Sequence, residues 1–400
     1  MNKKPFIIVI GLVLLLGGLL LLACPRFFAG FRPSGELTGS PAPAAEAVPP
    51  RDAVRLRHLW VHGESALLGL ADGEGAGSAA PQASSLTLRG AGGRVNYVFL
   101  AADSQYVNRG LILWQLPPAE YEVYYNGRPV AAGELWLPQG YTLPRQGQRL
   151  HWRFAANAEG LLTLSVESLP AEDLPQGWYD VIVDAGHGGL DTGAYNRGYA
   201  EAALNLDNAY GLQAQLQALG LRVALTREDG EVPGGAAAEN NPYARDARVE
   251  RVYRSHAPYL LSCHLNAGEG QQQGFQIYAS VESDARWAQQ VAQAWREAGA
   301  TENNHGSGLT DRGVYQRPTA WTDLPRDYYF ILRETGGYAL SPAYFIVSHR
   351  DMRQELAQGA EALLLEFAFM DNDADLRYWL ENRELLLEAT AQGCAEYWKL

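Results

Sequence analysis

The sequence predicts an α/β domain built on a mostly parallel sheet flanked by helices, preceded by an all-β domain and an N-terminal transmembrane helix. Three observations carry this reading. From Asp180 onward, strand-like apolar runs alternate with amphipathic helical runs, the pattern of a parallel sheet with crossover helices. Between residues 54 and 170, short strand-like runs follow one another with turn signals, as in a sandwich or barrel. Phe6 to Cys24 is nineteen residues without a charge or strongly polar group, close to the ~20 that span a bilayer as a helix. The expected divisions are an anchor or signal at 1–24, a linker at 25–53, the β-rich domain at 54–170 and the α/β domain at 178–400.

The N-terminal segment sets the expected location. Lys3 and Lys4 precede the apolar run, which favours a cytoplasmic N-terminus and places the bulk of the chain on the far side of the membrane, in the cell envelope. Leu21 to Cys24 also matches a lipoprotein cleavage box, so an uncleaved anchor and a lipidated Cys24 both remain open. Residues 33–53 are rich in Pro, Ala, Gly and Ser and read as a tether. The net charge of −13 argues against nucleic-acid binding. Only three cysteines are present, which excludes a disulfide scaffold; Cys263 and Cys394 are expected as separate buried thiols, with a bridge between them as the alternative.

In the β-rich stretch the expected strands are Leu56–Val61, Ser85–Leu88, Val95–Phe99, Leu111–Gln115, Tyr121–Tyr125, Ala132–Leu137, Leu150–Phe154 and Leu161–Val166. Asn126-Gly127 reads as a hairpin turn. Trp60, Trp114, Trp136 and Trp152 suit ordinary β core better than a glycan-binding platform. The α/β stretch opens with Val181–Ala185. Glu201–Leu219 follows as a helix, with Leu204, Ala209, Leu212 and Leu216 near a 3.6 period and Gly220 ending it. Then come a strand at Leu221–Thr226, a helix at Tyr243–His256, strands at Tyr259–His264 and Gly274–Ala279, and a helix at Ser283–Ala298. Residues 300–343 read as irregular. A strand at Tyr344–Val347, a short helix at Asp351–Gln358, a strand at Ala362–Phe367 and two closing helices, Asp373–Glu381 and Glu384–Tyr397, complete the chain.

The candidate chemistry lies at element ends. His187 stands in a glycine-rich turn after the first α/β strand, where ligands of open α/β sheets bind. Glu201 opens the next helix and His264 ends the strand beginning at Tyr259. Two histidines and a carboxylate form a catalytic zinc set with one position left open for water. Glu366, at the end of the run Leu363–Leu365, is the candidate proton acceptor, its carboxyl pKa raised by an apolar setting. Each carboxylate alone has a structural explanation: Glu201 a helix-start acid, Glu366 a surface group after a strand. The set of four outweighs them.

From about 180 to 398 the chain resembles the zinc-dependent N-acetylmuramoyl-L-alanine amidases. Asp184-Ala-Gly-His-Gly-Gly-Leu-Asp-Thr-Gly-Ala194 matches the opening motif and Glu201 with Leu204-Asn-Leu206 the second. Leu225-Thr-Arg227, Arg248, Ser262-Cys-His-Leu-Asn-Ala267, Arg312-Gly-Val314, Leu332-Arg333 and Glu366-Phe-Ala-Phe-Met-Asp-Asn372 follow in the family's order. The resemblance implies one zinc ion held by His187, Glu201 and His264, with Glu366 as the catalytic carboxylate. It implies hydrolysis of the amide between N-acetylmuramic acid and L-alanine of the peptidoglycan stem, so the partners are the glycan strand and stem peptide. It leaves room for a protein activator. Asn266, Arg333 and Asn372 become pocket candidates. An inactive wall-binding module and a zinc peptidase acting on the stem peptide are the alternatives. The chain departs from the family pattern at Ala368, usually Gly, at Cys263 and Leu265 beside the histidine, and at Glu361 in place of a proline. An insertion around 336–358 is expected to gate or shape the cleft. His256, His305 and His349 match no ligand motif and are expected to be structural or exposed.

Overall fold

This computed structural model describes residues 39–40, 49–71, 84–90, 93–99, 111–235, 247–281, 283–318, 327–335 and 358–400. The expected membrane span and most of the tether lie outside these residues, as do Tyr344–Val347, His349 and residues 336–357 of the insertion. Among the described residues no helix is long and apolar enough to cross a membrane.

The β-rich part contains β1 (Gly39–Ser40), β2 (Val54–His62), β3 (Ser65–Ala71), β4 (Ser84–Gly90), β5 (Gly93–Phe99), β6 (Leu111–Ile112), β7 (Ala119–Tyr125), β8 (Arg128–Ala131), β9 (Leu137–Tyr141), β10 (Gln148–Ala156) and β11 (Leu162–Pro170). The main strand path is β1-β9-β10-β11-β7-β8-β2-β3-β6, with β4 joining β5 to β7. Asn126 and Gly127 both have positive φ, 50° and 79°, and close the β7–β8 hairpin with Tyr125 opposite Arg128. Alternation buries Leu86, Leu88, Val123, Trp152, Phe154, Leu162, Leu164 and Val166 together. Trp152 is therefore core, and its ring lies so close to Gly140 that a Cβ there would sit 2.5 Å from it. Trp114 is half-buried under the Arg145 guanidinium, 4.5 Å from its ring centroid.

Several expected strands shift. Ala132–Leu137 is not one strand: Gly133, at φ +65°, turns the chain there and the strand begins at Leu137. The run from Leu111 stays extended only to Ile112, and Leu113–Gln115 is a 3-10 turn. Strand β3 was not anticipated; it pairs with β2 across a two-residue turn at Gly63 and Glu64.

The α/β part continues with β12 (Val181–Ala185), β13 (Tyr195–Asn196), β14 (Tyr199–Ala200), α1 (Glu201–Ala218), β15 (Val223–Leu225), α2 (Arg248–Ser255), β16 (Tyr259–Asn266), β17 (Gln276–Ala279), α3 (Arg286–Glu297), β18 (Leu309–Asp311), β19 (Val314–Tyr315), α4 (Phe330–Thr335), β20 (Gln358–Gly359), β21 (Glu361–Phe369) and α5 (Asp373–Trp398). The sheet order is β15-β12-β16-β21-β17-β19-β18. It is mixed: β15, β12, β16 and β21 run parallel, while β17 is antiparallel to β21. The described parts of the stretch expected to be irregular, 300–318 and 327–335, hold β18, β19 and α4. The two expected closing helices are one, because Asn382 stays in register and donates from Nδ2 to the Tyr378 carbonyl at 2.8 Å.

The central strands are buried on both faces, as covered parallel sheets require. One face packs on α1, α3 and α5 through Leu212, Leu216, Val291, Trp295, Leu363, Leu365, Trp379 and Leu387. The other packs on α2 and α4 through Val252, Leu260, Tyr278, Ile331, Leu332 and Leu364. Cys263 and Cys394 are free and buried, so no bridge joins them. His256 ends α2 in the left-handed conformation, and its ring lies 4.2 Å from that of Trp178. Burial lowers its pKa to about 4, a structural role.

The β-rich and α/β parts share one compact unit, Thr38–Leu400. Strand β20, expected as the end of a helix, instead pairs in parallel with β2, Val61 opposite Gln358 and His62 opposite Gly359. Only Ala360 separates it from β21. Glu361, in the position of the expected proline, starts β21, and burial raises its carboxyl to about 8, with Asp284 adding to the effect.

Candidate metal centre

Strand β12 is buried along its whole length and delivers its carboxyl end into the loop Gly186–Gly193. His187 sits there at φ +61°. Two glycines make the approach feasible. A Cβ on Gly186 would lie 2.2 Å from the His264 ring, and one on Gly193 would lie 2.5 Å from Glu201 Oε2 and 2.8 Å from His187 Cδ2. Glu201 enters from the first turn of α1, and His264 from β16, the neighbour of β12.

The three expected ligands converge. Glu201 Oε1 lies 3.1 Å from His187 Nε2 and 3.1 Å from His264 Nδ1. One donor atom from each residue falls within 4.8 Å of the others. Glu201 is only 4% exposed. Its carboxylate also accepts from Leu265 N–H at 3.2 Å, Asn205 Nδ2 at 3.2 Å and Ala194 N–H at 2.9 Å. Burial opposes its charge, but the two imidazoles hold its pKa well below the usual carboxylate range. Burial likewise opposes a charged His187, yet Glu201 and Asp191 raise that imidazole to about 9. Two imidazole nitrogens and one carboxylate oxygen, preorganised and half-shielded from water, fit a zinc ion with an open position.

The orienting groups were less visible. Asp191 Oδ2 lies 2.8 Å from His187 Nδ1, fixing the ring so that Nε2 faces Glu201. The available signal was the four-residue spacing of His187 and Asp191 within one loop. Such carboxylate–imidazole pairs raise ligand basicity and fix its tautomer. Asp191→Asn is expected to weaken zinc binding by about 10–100-fold while leaving the melting temperature unchanged. Competition with a metal-sensitive dye measures this.

Asp184, 1% exposed, accepts from Thr226 Oγ1 and Ser262 Oγ at 2.6 Å each and pairs with Arg248. Arg248 also donates to the Ala185 and His187 carbonyls, both at 2.7 Å. Arg227 donates to the carbonyls of Ala185 at 3.0 Å and Ala202 at 2.6 Å. The two motif arginines therefore hold the metal loop by its carbonyls.

Glu366 stands opposite His264 in the β16–β21 register and opposite Gln276 in the β17–β21 register. It is 7% exposed, and its Oε2 is buried without a hydrogen-bond partner. Burial raises its pKa well above the usual range, the Glu201 charge raises it further, and His187 opposes both.

The three pocket candidates each make contacts within the fold. Asn372 caps α5, its Oδ1 accepting from Ala374 N–H at 3.0 Å and Asp375 N–H at 3.3 Å. Asn266 Nδ2 donates to Gln276 Oε1 at 2.7 Å. Arg333 donates to the carbonyls of Asp327 and Tyr328 at 3.0 and 3.1 Å. The His305 carbonyl accepts from Gln276 Nε2 and from the Tyr315 hydroxyl, both at 3.1 Å. A cavity of about 670 Å³ opens beside the centre, with Gly186, His187, Asp191, Arg248 and His264 in its wall.

Over 98 residues the chain is 34% identical to a germination-specific N-acetylmuramoyl-L-alanine amidase of Bacillus subtilis, covering 24% of this chain and 41% of that protein. It is 26% identical over 144 residues to the uncharacterised protein YqiI of the same organism, covering 36% of this chain and 64% of YqiI. The chain thus spans less than two thirds of the length of either curated relative. Among solved structures, the N-acetylmuramoyl-L-alanine amidase AmiC2 of Nostoc punctiforme aligns at 21% identity and a TM-score of 0.38, covering 55% of this chain and 97% of that one. The family model described as N-acetylmuramoyl-L-alanine amidase (Amidase_3) matches residues 181–396, more than half of the chain, and the protein belongs to that family.

Proposed function

We propose that the protein hydrolyses the amide joining N-acetylmuramic acid to L-alanine in peptidoglycan, with zinc held by His187, Glu201 and His264. The observation that carries this is the convergence of those donors beside a buried carboxyl, Glu366, with an unpartnered oxygen. A zinc ion bound there would polarise the amide carbonyl and acidify a water to near neutrality. Glu366, held beside His264 by strand register, takes the proton of the attacking water and returns it to the nitrogen of the departing L-alanine. Asp191 keeps the His187 ring oriented, and Arg248 and Arg227 keep its loop from relaxing. The Phe6–Cys24 stretch would tether the enzyme to the membrane, with the amidase on the wall side.

The test is to incubate the full chain, in detergent, with peptidoglycan, with and without a chelator, and to read products by mass spectrometry. Peptides headed by L-alanine, lost on chelation and restored by zinc, are the expected result. Cleavage within the stem peptide would point to a peptidase. Bound zinc with no products at all would leave a wall-binding module.

A further inference from the structure

The buried face of α1 begins with three polar residues, Glu201, Asn205 and Asn208, which are 4%, 0% and 0% exposed. Spacings of four and three set them one above another on the helix. Further along, the same helix buries Leu212 and Leu216 in the core. A helix packed on a sheet gains nothing from a buried amide unless the amide bonds to something. Asn205 Nδ2 donates to Glu201 Oε1 at 3.2 Å and, over a longer 3.4 Å, to the Gly186 carbonyl. The Glu201 carboxylate and the carbonyl can only accept, so the amide nitrogen faces them and Oδ1 points away. That oxygen is buried without a hydrogen-bond partner. Asn208, the next residue of the row, has no hydrogen-bond partner at either side-chain atom.

The two acceptors of Asn205 belong to different parts of the centre. Oε1 is the Glu201 oxygen that stands between the imidazoles, 3.1 Å from His187 Nε2 and 3.1 Å from His264 Nδ1. Gly186 precedes His187 in the loop and lies under the His264 ring, where a Cβ would come within 2.2 Å. One amide thus bonds at once to the ligand carried by α1 and to the backbone of the loop that carries His187. Leu265 N–H ties Oε1 to β16, and Ala194 N–H holds Oε2. A metal site binds tightly when its donors already stand at the right separation, and the groups that hold the donors there set much of the affinity.

We propose that Asn205 is a positioning residue for the metal centre: its amide links Glu201 Oε1 to the Gly186 carbonyl and so fixes the spacing between the helix-borne carboxylate and the His187 loop. The proposal rests on the zinc centre of the amidase reading above.

Asn205→Leu in the full chain removes both donors at similar side-chain bulk. Gly186 O keeps its bond from Arg227 Nη2 at 3.0 Å, and Glu201 Oε1 keeps Leu265 N–H, so neither acceptor is stranded. The unpartnered Oδ1 is removed as well. The melting temperature of the metal-free protein is therefore expected to hold. Zinc affinity, measured by competition with a metal-sensitive dye, is expected to fall about 10–100-fold. Asn208→Leu is the control, equally buried on the same helix but without a bond to the centre, and its zinc affinity is expected to match the parent's. A packing fault on α1 would weaken both variants, so a loss in Asn205→Leu alone supports the positioning role. Equal losses in both overturn it, as does an Asn205→Leu affinity within about twofold of the parent's. If leucine prevents folding, Asn205→Ala read against Asn208→Ala decides between the same outcomes without added bulk. A parent that binds no zinc is a different failure: it overturns the metal centre itself, before any variant is compared.

Discussion

Glu366→Gln is expected to lower kcat by about 10²–10⁴, with zinc still bound at one per chain. Glutamine matches the carboxyl in size and keeps the strand register that sets residue 366 beside His264, but it cannot accept a proton. The same change removes a buried acid that the Glu201 charge already disfavours as an anion. The variant is therefore expected to fold at least as well as the parent, which separates a catalytic loss from a structural one. Zinc is counted by elemental analysis, and products are timed by mass spectrometry. A kcat within about tenfold of the parent's would show that another group takes the water's proton. Loss of zinc would show that Glu366 helps to build the metal site instead.

The four residues of this centre were legible in the sequence because each stands at the end of a strongly patterned element. Val181–Val183 and Tyr259–Leu261 are short apolar runs rich in strand-forming residues, which read as buried strands, and Glu201 begins a long periodic helix. Strand ends then fix where the loops and their ligands meet. The orienting shell was not legible in the same way. Asp191 is exposed and sits in a loop, where only the positive φ of His187 brings it onto Nδ1. Nor was the part Asn372 plays in the fold: this motif asparagine caps a helix, a role that depends on where α5 starts.

The β-rich part was legible as a class and not in its pairing. Periodicity finds strands, but it does not say which neighbours they take or where glycines interrupt them, and Gly133 and Gly63 each moved a boundary. Nor could it show that β20 leaves the α/β part to pair with β2. That pairing rests on contacts more than 290 residues apart in the chain, which no local pattern records. It places the β-rich part directly against the start of the strand that carries Glu366.

The buried acid at that junction, Glu64, is where the largest stability effect is expected. Glu64, in the β2–β3 turn, is 2% exposed. Its carboxylate accepts from Arg145 through both terminal nitrogens, at 2.9 and 2.6 Å, and from Leu143 N–H at 2.8 Å. It also accepts from the Tyr259 hydroxyl at 3.1 Å. Tyr259 opens β16, the strand that ends at His264. Arg145 in turn donates to the carbonyl of Trp398 at the end of α5, a favourable site for a cation. Gly63 allows the approach, since a Cβ there would sit 3.0 Å from Glu361 Oε2 and 3.3 Å from the Tyr259 ring. Glu64→Ala would leave a half-buried guanidinium without its carboxylate and an amide and a phenol without their acceptor, and is expected to cost about 3–5 kcal/mol in chemical denaturation of the full chain. Tyr259→Phe alone removes one hydrogen bond and should cost about 1 kcal/mol. Combined with Glu64→Ala it should add almost nothing, because its partner is already gone. Full additivity of the two losses would show that the β-rich part merely rests on the α/β part; non-additivity would make Glu64 the tie through which the strand bearing His264 is held from below.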